Sequence, residues 1–301
     1  MNLNTDYLQK KFGKNLIIKE NLSKYSWFNL GGPADIFFRP NDKEQLKEFF
    51  NEIKKNNIKL YILGAGSNTL IRDTGIKGAV IKLGSKFSHI KLIDKNIIEV
   101  GAGTLDRKVS DFAKKNCLGN MEFLSCIPGS IGGAISMNSG CYGSDISKIL
   151  VSLKVLDEDG KEKEIQKDEI KFYYRGTNLS KDFIILSAKL KGIISPKQLI
   201  EKKQNQLVEQ KKKSQPSQIK TGGSTFKNHY NKKAWELIKE SGSDKFNVGD
   251  AKISEKHCNF FLNNGKAKTS DIEQLIKKVK EQVKIKTGVD LQLEIKIIGD
   301  E

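Results

Sequence analysis

No stretch of the 301-residue chain approaches the ~18 consecutive apolar residues of a membrane-spanning helix. The opening MNLNTDYLQKKFGKN is polar and charged, without the apolar core of a secretory signal, so a cytoplasmic location and no membrane partner are expected. Cysteine is scarce: Cys117, Cys126, Cys141 and Cys258 form no Cys-x-x-Cys pair, and His89, His229 and His257 do not interleave with them at ligand spacing. A zinc centre is therefore not expected, and the thiols read as small, reduced, partly buried side chains.

Arginine is scarcer still for so basic a chain. The net charge is +17, yet 49 of the 53 basic residues are lysine, leaving only Arg39, Arg72, Arg107 and Arg175. Lysine dispersed along the whole chain reads as a solvated surface, whereas nucleic-acid readers gather arginine and aromatics on one face. Small anionic ligands fit better than nucleic acid. Where such a chain still spells arginine, a planar two-pronged donor is called for.

The length suits two or three domains. After a polar lead comes a Gly-Gly-Pro turn and a strand within WFNLGGPADIFFRP, then a helix with Leu46, Phe49, Phe50 and Ile53 on one face and Asn41 as its cap. KLYILGAGSN follows, a strand entering a glycine loop. A dinucleotide fingerprint of the G-x-G-x-x-G kind needs a third glycine and a long helix; here Thr69 stands in that place and LIRDTGIKGAVIKL leaves no room for a helix. Such a loop can still hold an anion through backbone N–H groups. A second strand, IIEVGAG, leads to a helix capped by Thr104 with Leu105, Val109, Phe112 and Ala113 on one face. Gly129, Gly132, Gly133, Gly140 and Gly143 then crowd one short segment, which means close backbone approach to a ligand or a tightly wound loop. Beyond a hairpin turning at Asp159-Gly160, FYYRGTNL and DFIILSAKLK read as strands. Pro196 falls in the first turn of the next helix, with Ser195 as its cap, at the expected domain junction. A last helix carries Ser270 and Glu273 as a capping box and Ile272, Leu275, Ile276, Val279 and Val283 on one face, before a closing strand LQLEIKII.

The segments LGAGSNTLIRD, EFLSCIPGSIGGAISMNSGCYG, YYRG, GGSTFKN, ISEKHCNF and LQLEIKIIG, in this order, resemble the UDP-N-acetylenolpyruvoylglucosamine reductase family from about residue 22 to residue 299. The resemblance implies an α+β chain: an FAD-binding fold of the vanillyl-alcohol-oxidase (PCMH) type over 22–194, in subdomains of about 22–84 and 85–194, then an α+β substrate-binding domain over 195–301, with 1–21 as a lead. It implies reduction of a UDP-sugar enolpyruvyl ether by NADPH through FAD. Gly64, Ala65, Gly66, Ser67, Asn68, Thr69 and Leu70 would hold the FAD pyrophosphate, and Pro128, Gly129, Ser130, Gly132, Gly133, Asn138 and Gly140 would line the rest. His89 lies outside both loops, so FAD is expected to be non-covalent. A monomer acting on small molecules is the expected state.

Three positions match the family's catalytic residues. Arg175 would clamp the substrate carboxylate and spread positive charge over the developing enolate; its structural alternative is a salt bridge. Ser224 would protonate C2, the alternative being a local backbone hydrogen bond. Glu294 would assist from the face opposite Leu293 and Ile295, or else is a solvated strand residue. Tyr174, Lys213 and Asn228 match substrate contacts, although Tyr174 also fits a half-buried strand aromatic. Asn29 and Gly176-Thr177 depart from the family pattern, and the short span between Arg175 and Ser224 resembles the subclass without a tyrosine-bearing loop. Two alternatives stand beside this reading: another flavin oxidoreductase of the same fold, and a basic nucleic-acid-binding protein.

Overall fold

The computed structural model describes residues 5–301; the first four residues of the lead lie outside it. The chain divides into two compact units, and each gathers segments distant in sequence.

The first unit comprises residues 5–18, 36–65 and 78–211. The supposed polar lead forms helix α1, Thr5–Phe12, because Leu8 and Phe12 fall on one face and both are buried. The Phe12 ring meets Phe38 and Phe49 edge-on at 5.2 and 5.4 Å. Helix α2, Lys43–Lys55, buries Leu46, Phe49, Phe50 and Ile53 as the spacing predicts. Its cap is Asp42 rather than Asn41: the Asp42 carboxylate accepts the Gln45 N–H at 2.8 Å, and a carboxylate at this end also favours the helix dipole. These side chains cover residues of a four-stranded sheet whose order is Leu16–Asn21, Pro33–Phe38, Ile76–Ile81, Leu60–Ile62.

A second core in this unit packs on a five-stranded antiparallel sheet, in the order Glu162–Gln166, Leu150–Leu156, Ile184–Lys191, Ile97–Gly101, Ile90–Asp94. Gly160, at φ +74°, makes the expected hairpin turn. Helix α3 spans Asp106–Lys115 and departs from expectation at its start. Leu105 stays extended in a bridge to Ser130 and is 46% exposed, so the buried face begins one residue later, with Asp106. Thr104 caps nothing; its hydroxyl donates to the His89 carbonyl at 3.2 Å. The glycine-rich segment contains a short helix, α4, Ile131–Ser136, that periodicity did not reveal. Helix α5, Lys197–Ser214, starts just after Pro196, whose carbonyl accepts the Leu199 and Ile200 N–H groups.

The second unit comprises residues 19–35, 66–77 and 212–301. Helix α6, Ala234–Glu240, and helix α7, Thr269–Thr287, cover a three-stranded sheet of Asn247–Val248, Ala251–Ile253 and Phe261–Asn263. The predicted apolar face of α7 is buried throughout. Its N-terminus is closed by other groups than the predicted Ser270 and Glu273. Asp271 accepts the Lys268 N–H at 2.8 Å, and Asp73 accepts those of Thr269 and Ser270 at 3.0 and 3.1 Å. Glu273 instead forms a two-pronged pair with Arg72, at 3.1 Å from both Nε and Nη2. The closing strand is regular only over Lys296–Ile298, paired in parallel with Thr69–Ile71. No helix among the described residues is long and apolar enough to cross a membrane.

Candidate active site

In the first unit the two glycine loops, more than sixty residues apart in sequence, come together. A Cβ on Gly64 would stand 2.8 Å from the Ser130 hydroxyl, and one on Gly132 would press on Ala102 at 3.2 Å. The Lys82 ammonium donates to the Gly64 carbonyl. Burial lowers the pKa of Lys82, and the Arg39 guanidinium lowers it further, as like charges would. The N–H groups of Gly64 and Ala65 have no protein acceptor among the described residues. Free N–H groups beside a half-buried ammonium, with no room for side chains, fit an anionic group held by backbone.

Behind this loop sits a buried carboxyl. Asp106 is fully buried and neither oxygen has a hydrogen-bond partner among the described residues. Burial raises its pKa well above the usual carboxylate range, and the nearby Gly129 N–H opposes this without making a full hydrogen bond. A Cβ on Gly129 would lie 2.5 Å from Oδ2, so the glycine admits the carboxyl. Asn138, left-handed at φ +42°, secures the far end of the loop: its amide donates to the Tyr173 carbonyl at 3.2 Å and accepts the Ser147 N–H at 3.0 Å.

Tyr174 and Arg175 do not lie in a strand. They form the turn of a tight hairpin in which Phe172–Tyr173 pairs with Gly176–Thr177. Arg175 holds φ +58°, a left-handed conformation that usually selects glycine or asparagine and that strains an arginine by roughly 1–2 kcal/mol. Its Nη2 donates to the Gly140 carbonyl at 2.8 Å, and its Cζ lies 5.0 Å from the Tyr174 ring centre. Strained backbone of this kind persists only where the surroundings hold it, and it clusters at functional sites. Tyr174 is exposed rather than a half-buried strand aromatic.

In the second unit Ser67, Asn68 and Thr69 run beside Glu294. The Asn68 side-chain amide donates to the Glu294 backbone carbonyl at 3.0 Å, and the Asn68 backbone carbonyl accepts the Lys296 N–H at 2.9 Å. The N–H groups of Gly66, Ser67 and Asn68 have no protein acceptor among the described residues. Gly66, at φ +71°, is forced by close approach: a Cβ would stand 1.8 Å from the Tyr25 carbonyl oxygen. Ser224 bridges Phe260, and Phe226 bridges Leu293. The Thr225 carbonyl accepts the Glu294 N–H at 2.8 Å. Thus the Ser224 and Glu294 segments, seventy positions apart, lie side by side, both side chains belonging to half-buried residues. The Asn228 side chain accepts the Ala234 N–H at 3.1 Å, closing the start of α6, and Lys213 is exposed in the last turn of α5.

Asn259 carried no signal in the sequence. Buried, it brackets Phe226 from both sides: Oδ1 accepts the Phe226 N–H at 2.9 Å and Nδ2 donates to its carbonyl at 2.8 Å, while the Asn259 carbonyl accepts the Thr225 N–H at 2.7 Å. His257, two residues earlier, accepts the Asn259 N–H at Nδ1, and burial lowers its pKa, so it is neutral at pH 7. Among the described residues no group of three or more His, Cys, Asp or Glu side chains is placed to hold a metal ion.

Residues 34–166 match the model of an FAD binding domain, and residues 215–298 match that of the UDP-N-acetylenolpyruvoylglucosamine reductase C-terminal domain. The reductase of that name from Pelagibacter ubique is 44% identical over 296 residues, covering 96% of this chain and 98% of that protein. Its counterpart from Rickettsia typhi is 44% identical over 281 residues, with 93% and 94% covered. The crystal structure of the enzyme from Thermus caldophilus superposes with a TM-score of 0.81 at 31% identity, over 94% of this chain and 97% of that one.

Proposed function

The chain belongs to the UDP-N-acetylenolpyruvoylglucosamine reductase family, and from that premise we propose that it makes UDP-N-acetylmuramate from UDP-N-acetylglucosamine-enolpyruvate for peptidoglycan precursor synthesis. It has the family's α+β architecture, an FAD-binding fold of the vanillyl-alcohol-oxidase type followed by a C-terminal α+β domain. We assign cofactor binding to 22–194 and substrate binding to 195–301, and place the enzyme in the cytoplasm as a monomer working on small molecules alone. FAD, held by the glycine loops around residues 64–68 and 128–140, would supply hydride transfer between NADPH and C3 of the enolpyruvyl group.

The chain's own residues bind, orient and protonate. Backbone N–H groups from Gly64 to Asn68 hold the diphosphate, with Thr69 and Leu70 anchoring the loop in its strand, and Pro128 to Gly140 support the remainder. Tyr174, Asn228 and Lys213 contact substrate. Arg175 takes the substrate carboxylate on two parallel N–H bonds and spreads its charge over the enolate that develops at C2. Ser224 delivers the proton to C2. A serine is a weak acid, so the Glu294 carboxyl beside its segment stabilises the enol and keeps the developing charge small at the moment of transfer. The observation that carries this reading is the adjacency of the Ser224 and Glu294 segments through the Thr225 carbonyl, in a chain that follows the family over nearly its whole length. NADPH consumption by the flavin-loaded protein must depend on the enolpyruvyl substrate. A colourless protein that takes up no FAD contradicts the reading, and a nucleic-acid-binding chain or an oxidase of another alcohol fails the same assay.

A further inference from the structure

One pair of nucleophiles in the first unit has no place in this chemistry. Cys126 ends the turn Glu122–Cys126, and Cys141 ends the two-residue strand Gly140–Cys141, so the pair stands at the two stems of the Pro128–Gly140 loop. The two thiols lie close enough to perturb each other. Cys141 also donates to the Phe123 carbonyl at 3.5 Å, and Cys126 Sγ lies 3.7 Å from the Ser125 hydroxyl. The Lys211 ammonium donates to the Cys126 carbonyl at 2.8 Å. Cys126 is 6% exposed and Cys141 half-buried, and both are free thiols.

We propose that Cys126 and Cys141 are a peroxide-sensitive dithiol whose disulfide staples the stems of this loop and slows the enzyme. The pair is chemically unequal. Contact with Cys141, the Ser125 hydroxyl and the adjacent ammonium of Lys211 lower the Cys126 pKa, while the same contact and burial push Cys141 up. Cys126 is therefore the more readily ionised of the two and reacts as its thiolate. It attacks one oxygen of the peroxide, the O–O bond breaks, and one water leaves with a proton from solvent. The Cys141 sulfur then attacks the resulting sulfenic sulfur, the S–O bond breaks, and a second water leaves with the Cys141 proton. Two thiols are oxidised by two electrons and one peroxide is reduced to two waters.

The other thiols lack this arrangement. Cys258 is pushed up to about 11 by burial, and Cys117 is exposed. The consequence for turnover rests on the function proposed above. Gly140, next to Cys141, supplies the carbonyl that Arg175 holds, so drawing Cys141 onto Cys126 displaces the arginine.

The test uses the full-length holoprotein, exposed to hydrogen peroxide, denatured, alkylated with iodoacetamide and digested without reduction. Two of the four cysteines escape alkylation, and a Cys126–Cys141 peptide appears two hydrogens lighter than its parts and is released by dithiothreitol. Substrate-dependent NADPH oxidation falls ~10-fold or more, as a misplacement of about 1 Å does, and returns with dithiothreitol. Cys141→Ser keeps its basal activity after the same treatment. Alkylation of both residues after peroxide, bridging through Cys117 instead, or a formed disulfide with unchanged turnover each overturns the proposal. The cross-link is read by mass, without substrate, so its failure is distinct from failure of the reductase reading, which shows as no turnover before peroxide is added.

Discussion

The two units solve the same problem, holding irregular chain still at a reactive place, by different means. The first has two cores and a five-stranded sheet with strands of up to eight residues, and its glycine loops are fixed by what lies behind them, such as Ala102, Ser130 and the carboxyl of Asp106. The second has strands of two or three residues around its reactive segments and fixes them with side chains bonded to backbone: Asn259 on Phe226, Thr221 on Phe261, Asn263 on Phe28 and Asp73 on the start of α7. The buried side chains of Asn259, Thr221 and Asn263 in the second unit are thus structural parts bonded to backbone, whereas the Asp106 carboxyl in the first is an orphan on both oxygens that costs stability.

The largest expected break is at Gly66. Gly66→Ala combines a left-handed φ with a Cβ driven into a fixed carbonyl, and should cost about 3 kcal/mol or more of unfolding free energy. Gly143→Ala is the control, at φ +80° with nothing within 4 Å, and should cost about 1 kcal/mol by strain alone. Urea titrations of the two variants separate collision from conformation. Next comes Asn259→Ala, which leaves the Phe226 N–H and carbonyl buried without partners and should cost about 2 kcal/mol. It should also slow the Ser224-dependent step, because the Ser224–Phe226 segment loses its clamp.

Asp106→Asn should act in the opposite direction. Its folded pKa lies above the 3.8 of the free side chain, so between those values the native state binds more protons than the unfolded state, and stability falls as pH rises through that window. Asparagine cannot ionise. The variant should melt higher than the parent at pH 7 to 8, and the gap should close as pH approaches 4. A variant less stable at every pH would show that the carboxyl has a partner it needs.

The same contrast explains what could be read in advance. The faces of α2 and α7 were legible because periodicity reports burial directly, and the glycine loop was separated from a dinucleotide site because a missing third glycine and a missing helix are local facts. The start of α1 was hidden by its lysines, although Leu8 and Phe12 carry the helical spacing. Helix ends at Asp42 and at α7 were misplaced by a residue or two, since several Asp, Asn, Ser and Glu side chains in each neighbourhood can accept the same N–H groups. Asn259 and the turn conformation of Arg175 were out of reach of pattern. An asparagine that clamps another segment's backbone, and an arginine in a glycine's conformation, are set by long-range partners that no local spacing encodes.

The division of labour itself is tested by Ser224→Ala, followed through each half-reaction by flavin absorbance under anaerobic conditions. In the proposed function backbone of the glycine loops holds the cofactor and Ser224 only moves a proton, which predicts flavin reduction by NADPH at nearly the parent rate while reoxidation by the enolpyruvyl substrate slows ~10²-fold or more. Equal slowing of both half-reactions would contradict it.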